Sequence, residues 1–213
     1  MKLNSEKTKY MLINFCKSYQ FNTRLYIQNE ILQQIHQIRL LGVVVSDDLS
    51  WMQNTVLITK KANQRLIILR KLYELNISKP DMIQIYNLYI RSVLETSCVV
   101  WASSITQQEA TMIEKVQKTA LKIIYGNTYI SYENAITMSG LLKLSDRRLK
   151  LTLTFSQKWI KNEKTKHMFP LNEIKKTRLT EKYKVIHANT NRLMFSAIPQ
   201  IARQLYEVEL KYH

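Results

Sequence analysis

Residues 106–126 read TQQEATMIEKVQKTALKIIYG, and this stretch has a helical period with clear signals at both ends. Thr106 followed by Glu109 fits a capping box, in which the hydroxyl and the carboxylate each accept a hydrogen bond from an exposed backbone amide. Gly126 is typical of the residue that ends a helix. The pattern therefore predicts a helix over residues 107–125.

The predicted helix has an apolar stripe and a basic face. The stripe is formed by Ala110, Ile113, Gln117, Ala120, Leu121 and Ile124. Lys115, Lys118 and Lys122 recur on another face. Cations on a rigid helix whose opposite side is packed suit the backbone of a nucleic-acid duplex. An ordinary solvated lysine face is the alternative interpretation.

Further helices are predicted along most of the chain after residue 50. Their predicted bounds are residues 51–75, 79–101, 132–138, 146–162 and, with a weaker period, 201–210. Ser78 with Pro80 and Asp81 marks the start of the helix predicted over residues 79–101. Ser145 is predicted to cap the helix over residues 146–162. Only 3 Gly and 3 Pro in 213 residues agree with long helices and short connections.

The first 50 residues alternate in polarity and are rich in β-branched side chains. Residues 9–14, 24–28 and 39–45 are predicted to form three short antiparallel strands. Gly42 interrupts the third, where it permits a bulge or a close approach by another backbone. The expected fold class is α+β and mainly helical, with a small three-stranded antiparallel sheet followed by a helical bundle. The expected segments are 1–50, 51–162 and 163–213.

Charge is concentrated in the predicted helical part. The chain has 32 Lys+Arg and 16 Asp+Glu, a net charge of +16, of which residues 1–50 contribute +2 and residues 51–213 contribute +14. Such an imbalance favours an anionic partner, with nucleic acid as the leading candidate and a membrane surface as the alternative. No apolar run of membrane-spanning length and no signal-peptide core is visible, so an intracellular protein is expected, in the nucleus or the cytoplasm.

Two other clusters of cations and one of aromatic residues have candidate roles. The cations predicted to meet phosphates are Lys60, Lys61 and Arg65 in one helix and Arg147, Arg148 and Lys150 in another. Tyr86, Tyr89 and Trp101 lie among apolar residues, which favours the core over base stacking.

No metal, cofactor or catalytic motif is visible. Cys16 and Cys98 lie in apolar contexts without a C-x-x-C pair, which favours buried thiols over a metal or disulfide role. Phosphate-binding loops, nucleophile elbows and zinc-protease helices are not found. Asp47 and Asp48 are adjacent acids before a helix, and their position favours helix entry over two-metal catalysis, which needs carboxylates from separate strands.

KTKYMLIN at residues 7–14 and IRLLGVVVSDDLSW at residues 38–51 resemble the jockey-like branch of non-LTR retrotransposon reverse transcriptases. The two stretches are similar to the strand after the polymerase active site and to the primer-grip hairpin. The resemblance continues in order through residues 59–72, 85–106, 113–126, 144–159 and 192–199.

The resemblance implies a carboxyl-terminal fragment of an RNA-directed DNA polymerase. Residues 1–50 would be a palm remnant with Leu41, Gly42 and Val43 at the primer-grip turn, residues 51–162 a thumb-like bundle, and residues 163–213 a connector and extension. The family's catalytic aspartates precede the matching region, so no polymerase activity is expected. The implied partners are a template–primer duplex, such as an RNA–DNA hybrid, and the palm of a full-length parent.

Two alternatives stay open from the sequence. One is a host-retained basic helical module that binds nucleic acid or another protein. The other is a fragment of an AlkB-like RNA-modifying enzyme, since residues 7–45 also resemble the start of some of those proteins. The latter activity needs an H-x-D pair, and none of His36, His167, His187 and His213 is followed by an aspartate two residues later.

Overall fold

A computed structural model describes residues 4, 7–15, 24–171, 183 and 191–211. The fold is α+β and mainly helical, which confirms the predicted class. The chain divides into two compact units, Met1–Leu57 and Ile58–His213. The small strands lie in the first unit and most of the helices in the second.

The strands of the first unit form pairs. Strands β1 (Lys9–Tyr10) and β4 (Gln33–Gln34) are parallel, whereas β2 (Tyr26–Ile27) with β3 (Glu30–Ile31) and β5 (Gln37–Leu40) with β6 (Val43–Ser46) are antiparallel. The predicted three-stranded antiparallel sheet is therefore wrong for the described residues, which contain three two-stranded sheets.

The predicted strand over residues 39–45 is instead a hairpin. Leu40 pairs with Val43, so Leu41 and Gly42 form a two-residue turn with φ of 46° and 90°. Two positive φ angles in succession are what a two-residue hairpin needs, because they match the twist of the flanking strands. A Cβ added at Gly42 would meet nothing within 4 Å, so no backbone approaches it closely. The glycine acts as a turn residue and not as a bulge.

The helices follow the predicted order. They are α1 (Met52–Glu74), α2 (Lys79–Ile85), α3 (Ser92–Leu94), α4 (Cys98–Trp101), α5 (Gln107–Tyr125), α6 (Tyr132–Ser139), α7 (Leu144–Lys161), α8 (Asn191–Met194) and α9 (Ala197–Lys211). Short 3₁₀ turns occupy Gly126–Thr128 and Lys166–Met168. Residues 172–180 of the predicted connector lie outside the described residues, as does Cys16.

The single helix predicted over residues 79–101 is interrupted. A π-helical turn (Tyr86–Arg91) separates α2 from α3, and the chain then breaks before α4 with Ser97 in the left-handed region at φ 50°. The indole Nε1 of Trp101 donates to the carbonyl of Thr96 at 3.0 Å, which fixes the break. The break at Glu95, Thr96 and Ser97 contains neither Gly nor Pro, so no helix-ending signal marks it in the sequence.

The core of the second unit includes buried side chains of α1, α2, α4, α5, α6 and α7. Tyr86 and Trp101 are completely buried, as predicted. Tyr89 is 43% exposed, so its assignment to the core was wrong. A second apolar cluster joins the carboxyl-terminal residues to α7 and contains Phe169, Tyr183, Ile201, Ala202 and Leu205.

The start of α7 is capped from a distant part of the sequence. The helix begins at Leu144, and the predicted cap at Ser145 is wrong because that residue lies inside the first turn. The carboxylate of Glu114 accepts the Leu144 amide at 3.2 and 3.1 Å. A side chain of α5 thus accepts the hydrogen bond from the first-turn amide of α7, which a neighbouring capping residue usually accepts.

Candidate nucleic-acid interface

Lys115, Lys118 and Lys122 lie on the exposed face of α5, and we call them the lysine row. The opposite face is buried, with Ile113, Gln117, Ala120, Leu121 and Ile124 all at or below 1% exposure. The helix therefore presents three ammonium groups to solvent from a side whose backbone is held by the core.

Local and tertiary hydrogen bonds fix α5. The capping box is present, with the Thr106 amide donating to Glu109 Oε2 at 2.6 Å and the Glu109 amide donating to Thr106 Oγ1 at 3.2 Å. In the core, Tyr86 Oη donates to Gln117 Oε1 at 2.6 Å, and Gln117 Nε2 donates to Tyr132 Oη at 2.9 Å. A polar side chain on the buried stripe thereby ties α5 to two neighbouring segments.

A further cation lies near the carboxyl end of α5. Lys79 Nζ lies 5.3 Å from the centroid of the Tyr125 ring and donates to Thr128 Oγ1 at 2.9 Å. Lys122 Nζ lies 5.6 Å from the Tyr129 ring. Lys79 was not predicted as a candidate site residue, because its only local signal in the sequence is its position at the start of α2. Aromatic rings beneath both ammonium groups hold them near the end of the lysine row.

Gly126 ends α5 in a conformation that only glycine adopts readily, with φ 49° and ψ −124°. A Cβ there would lie 2.1 Å from Tyr73 Oη. We expect Gly126→Ala to lower the free energy of unfolding by about 2 kcal/mol, mainly through backbone strain. Chemical denaturation monitored by circular dichroism measures this change.

Gly140 provides the matched control, since its φ is 64° but a Cβ there meets nothing within 4 Å. Gly140→Ala is expected to cost about 1 kcal/mol from the left-handed backbone alone. In a Tyr73→Ala background, Gly126→Ala should keep most of its cost. If the cost disappears there, the clash with Tyr73 and not the backbone sets the requirement for glycine.

The predicted cations of α1 are differently placed. Lys60 is exposed, whereas Lys61 and Arg65 are half-buried. Arg65 Nη1 donates to the carbonyl of Tyr89 at 2.5 Å, and its Cζ lies 4.3 Å from the Tyr89 ring centroid. This stacking explains why Tyr89 remains at the surface. The Tyr89 ring also holds the Arg65 side chain in place.

The predicted cations of α7 do not form one exposed cluster. Arg147 Nε lies 2.5 Å from Glu95 Oε1, and Arg91 Nε lies 3.8 Å from the other oxygen of that carboxylate. Arg148 is only 4% exposed, so it is not placed to meet a duplex, contrary to the prediction. The period of α7 turns this position inward together with Leu144, and only Lys150 of the three is exposed.

The hairpin that resembles a primer grip has an apolar tip. Leu41 is 100% exposed and Leu40 is 52% exposed, whereas Val43 is buried. The Val44 amide donates to Asn54 Oδ1 at 3.2 Å, which joins β6 to the first turns of α1. A bulky residue at positive φ costs about 1–2 kcal/mol, so Leu41 combines backbone strain with an exposed apolar side chain.

The adjacent acids after this hairpin hold a turn. Asp48 Oδ1 accepts the Ser50 amide at 2.9 Å and the Ser46 hydroxyl at 2.5 Å. Asp47 Oδ2 lies 2.7 Å from His36 Nδ1. These contacts organise the connection from β6 to α1, which agrees with the helix-entry interpretation.

Across the described ranges, no group of three or more His, Cys, Asp or Glu side chains is arranged to hold a metal ion. In the same part of the chain, no helix combines the length and the apolar character needed to cross a membrane. Comparison of the chain with protein-family models, curated proteins and solved structures finds no match.

Proposed function

We propose that the second unit binds the sugar–phosphate backbone of a nucleic-acid duplex through the lysine row of α5. The observation that carries this proposal is the exposure of Lys115, Lys118 and Lys122 on one face of a helix whose other face is buried. The net charge of +14 over residues 51–213 supports it, because like charges repel unless an anion offsets them.

The dimensions of the lysine row suit one strand of a duplex. Lys115 and Lys122 are separated by two helical turns, a rise of about 10 Å. Successive phosphates of one strand advance by about 3.4 Å along the duplex axis, so the row is about as long as three phosphate-to-phosphate steps. Lys79 of α2, which lies beside the Tyr125 ring, adds a further cation near the carboxyl end of α5.

In the resembled family, this role belongs to the thumb of a reverse transcriptase. By that resemblance, the duplex would be a template–primer, such as an RNA–DNA hybrid, and the exposed hairpin tip at Leu41 would contact the primer beside a separate catalytic palm. The role assigned to this chain is to hold and position the duplex. Asp47 and Asp48 have no catalytic part in the proposal, since both are engaged in turn contacts.

Replacing all three lysines of the row by alanine tests the proposal. We expect the slope of log K against log salt for duplex binding to become shallower by about 2–3, since each phosphate contact contributes about 0.9 on B-DNA. Helicity should be kept, because alanine is the best helix former. Fluorescence anisotropy with an RNA–DNA hybrid between 50 and 300 mM salt would measure the slope.

A matched control removes the same charge elsewhere. Lys158, Lys161 and Lys164 are exposed, and their replacement by alanine lowers the net charge by the same amount. We expect this triple variant to change the slope by less than half as much as the lysine-row variant. Equal changes would mean that diffuse charge binds the duplex, and an unchanged slope in the lysine-row variant would rule out contact by α5.

A further inference from the structure

A cavity of about 280 Å³ lies within the second unit, lined by the segment after α4, the start of α5, one side of α7 and α9. Its apolar wall includes Ala102, Ile105 and Leu149, and its polar wall includes Ser103, Arg148 and Gln204. The volume is close to the lower limit for pockets that take small organic ligands. We call it the Arg148 cavity.

Three residues that line this cavity each have a buried polar atom without a hydrogen-bond partner among the described residues. The atoms are Arg148 Nη1, Ser103 Oγ and Gln204 Oε1. Buried polar atoms are nearly always paired in folded proteins, because an unpaired one costs about 1–3 kcal/mol and a charged one costs more. Three such atoms on residues that line one cavity indicate that a polar group completes the site.

The charge of Arg148 identifies the sign of that group. Arg148 is 96% buried, and no described carboxylate forms an ion pair with it. The negative charges of Glu114 and Glu95 act on Arg148, but Glu114 accepts the Leu144 amide and Glu95 pairs with Arg147. Burial lowers the pKa of Arg148, but a guanidinium stays protonated in proteins. An anion is the acceptor that would pair with Arg148 Nη1 and also offset this charge.

We propose that the Arg148 cavity binds a small oxyanion, in the form of a phosphate or carboxylate group with at most a short apolar body. The guanidinium of Arg148 pairs with the anion, and the hydroxyl of Ser103 donates to it. The side-chain amide of Gln204 also donates to the anion if the amide is rotated by about 180°, which exchanges the positions of its oxygen and nitrogen. The two orientations of such an amide are distinguished by their hydrogen-bond partners. Ile105 and Leu149 provide the apolar wall against the body of the ligand.

This site is separate from the proposed duplex interface. The backbone of a duplex is too wide to bring a phosphate to a side chain that is 96% buried. The lysine row lies on the exposed face of α5, whereas the cavity touches that helix only at its start, at Thr106, Gln107 and Ala110. Loss of one activity should therefore leave the other intact.

The test measures binding of inorganic phosphate and of propionate to the whole chain by isothermal titration calorimetry, at constant ionic strength set with chloride. We expect saturable binding of at least one of these probes with a stoichiometry of one. Binding of phosphate alone assigns a phosphate-bearing ligand, and binding of propionate assigns a carboxylate-bearing one. Absence of saturable binding of either probe overturns the proposal and leaves water as the occupant of the cavity.

Variants locate the binding. Arg148→Met should weaken it at least tenfold, and Ser103→Ala should weaken it severalfold. Lys150→Met, which removes an exposed cation two residues away, should leave it unchanged. If Arg148→Met does not fold, Leu149→Phe provides a second test because a larger ring fills the cavity without removing charge. Equal binding of the small anion by wild type and by every cavity variant that folds overturns the proposal.

Duplex binding separates this result from the proposed function. Arg148→Met should bind an RNA–DNA hybrid as wild type does, and the lysine-row triple variant should keep its affinity for the small anion. A lysine-row variant that loses the small anion would show that phosphate binds on the surface of α5, which overturns the cavity assignment.

Discussion

Replacement of Glu114 by leucine is expected to lower the free energy of unfolding by about 2–4 kcal/mol, because two hydrogen-bond donors lose their acceptor. Glu114 Oε1 accepts the hydroxyl of Tyr132, and both of its oxygens accept the amide of Leu144, at 3.2 and 3.1 Å. Its negative charge also favours the buried guanidinium of Arg148. Loss of the carboxylate leaves the amide of Leu144 and the phenol of Tyr132 without their acceptor. Urea denaturation monitored by circular dichroism would measure the loss.

Two further substitutions separate charge from hydrogen bonding. Glu114→Gln keeps an acceptor and should cost about half as much, because hydrogen bonds to charged groups are about twice as strong as neutral ones. Glu133→Leu removes an exposed acid from the first turn of α6 and should cost at most about 1 kcal/mol. If Glu114→Leu costs no more than Glu133→Leu, the carboxylate does not hold the start of α7.

The capping of α7 illustrates which helix boundaries the sequence could predict. The start of α5 was predicted correctly because Thr106 and Glu109 are three residues apart and complete their own cap. The start of α7 was predicted two residues late because its cap is a carboxylate 30 residues earlier in the chain. Local patterns identify local caps, whereas a cap from another helix exists only after the chain has folded.

The strands were harder to predict because their turns lack the usual residues. Gln28 and Asn29 have φ of 51° and 67°, and Leu41 and Gly42 also have positive φ. Asn-Gly or Asp-Gly would have predicted such turns, whereas Gln-Asn and Leu-Gly are not typical turn sequences. The parallel pairing of β1 with β4 joins residues 24 apart, and no period in the sequence encodes it.

The exposure of the candidate site residues could be predicted only where the spacing of apolar residues showed which face of the helix is buried. The period of α5 places Lys115, Lys118 and Lys122 outward, as the structure has them. Arg148 broke the expectation because a charged residue occupies an inward position of α7. Charged residues are almost never fully buried without a partner, so the burial of Arg148 indicates a ligand in the Arg148 cavity.

Above about pH 10, stability is expected to fall by about 2.7 kcal/mol per pH unit from two buried tyrosines alone. Burial raises the pKa of Tyr86 well above its usual value. Burial, followed by the hydrogen bond to Glu114, raises the pKa of Tyr132 in the same direction. The unfolded chain releases both protons near pH 10 while the folded chain keeps them. Each tyrosine therefore contributes a loss of about 1.4 kcal/mol per unit as pH rises.

Urea denaturation at pH 9, 10, 11 and 12 tests this expectation through single tyrosine-to-phenylalanine variants. Tyr86→Phe and Tyr132→Phe each remove one ionisable group, so each should make the slope above pH 10 shallower by about 1.4 kcal/mol per unit. Their loss of a hydrogen bond lowers stability at every pH but does not change the slope. The raised pKa of the buried Cys98 thiol is common to all of these proteins and cancels in the comparison.

The control is Ile90→Val, which removes one methylene group from a completely buried side chain of the same π-helical turn as Tyr86. It should lower stability by about 0.5–1.5 kcal/mol at every pH and keep the wild-type slope. If both phenylalanine variants also keep that slope, the phenols of Tyr86 and Tyr132 ionise in the folded protein. The hydrogen-bonded core that joins them to Gln117 would then be open to solvent at alkaline pH, and it would not be the rigid support that the lysine row requires.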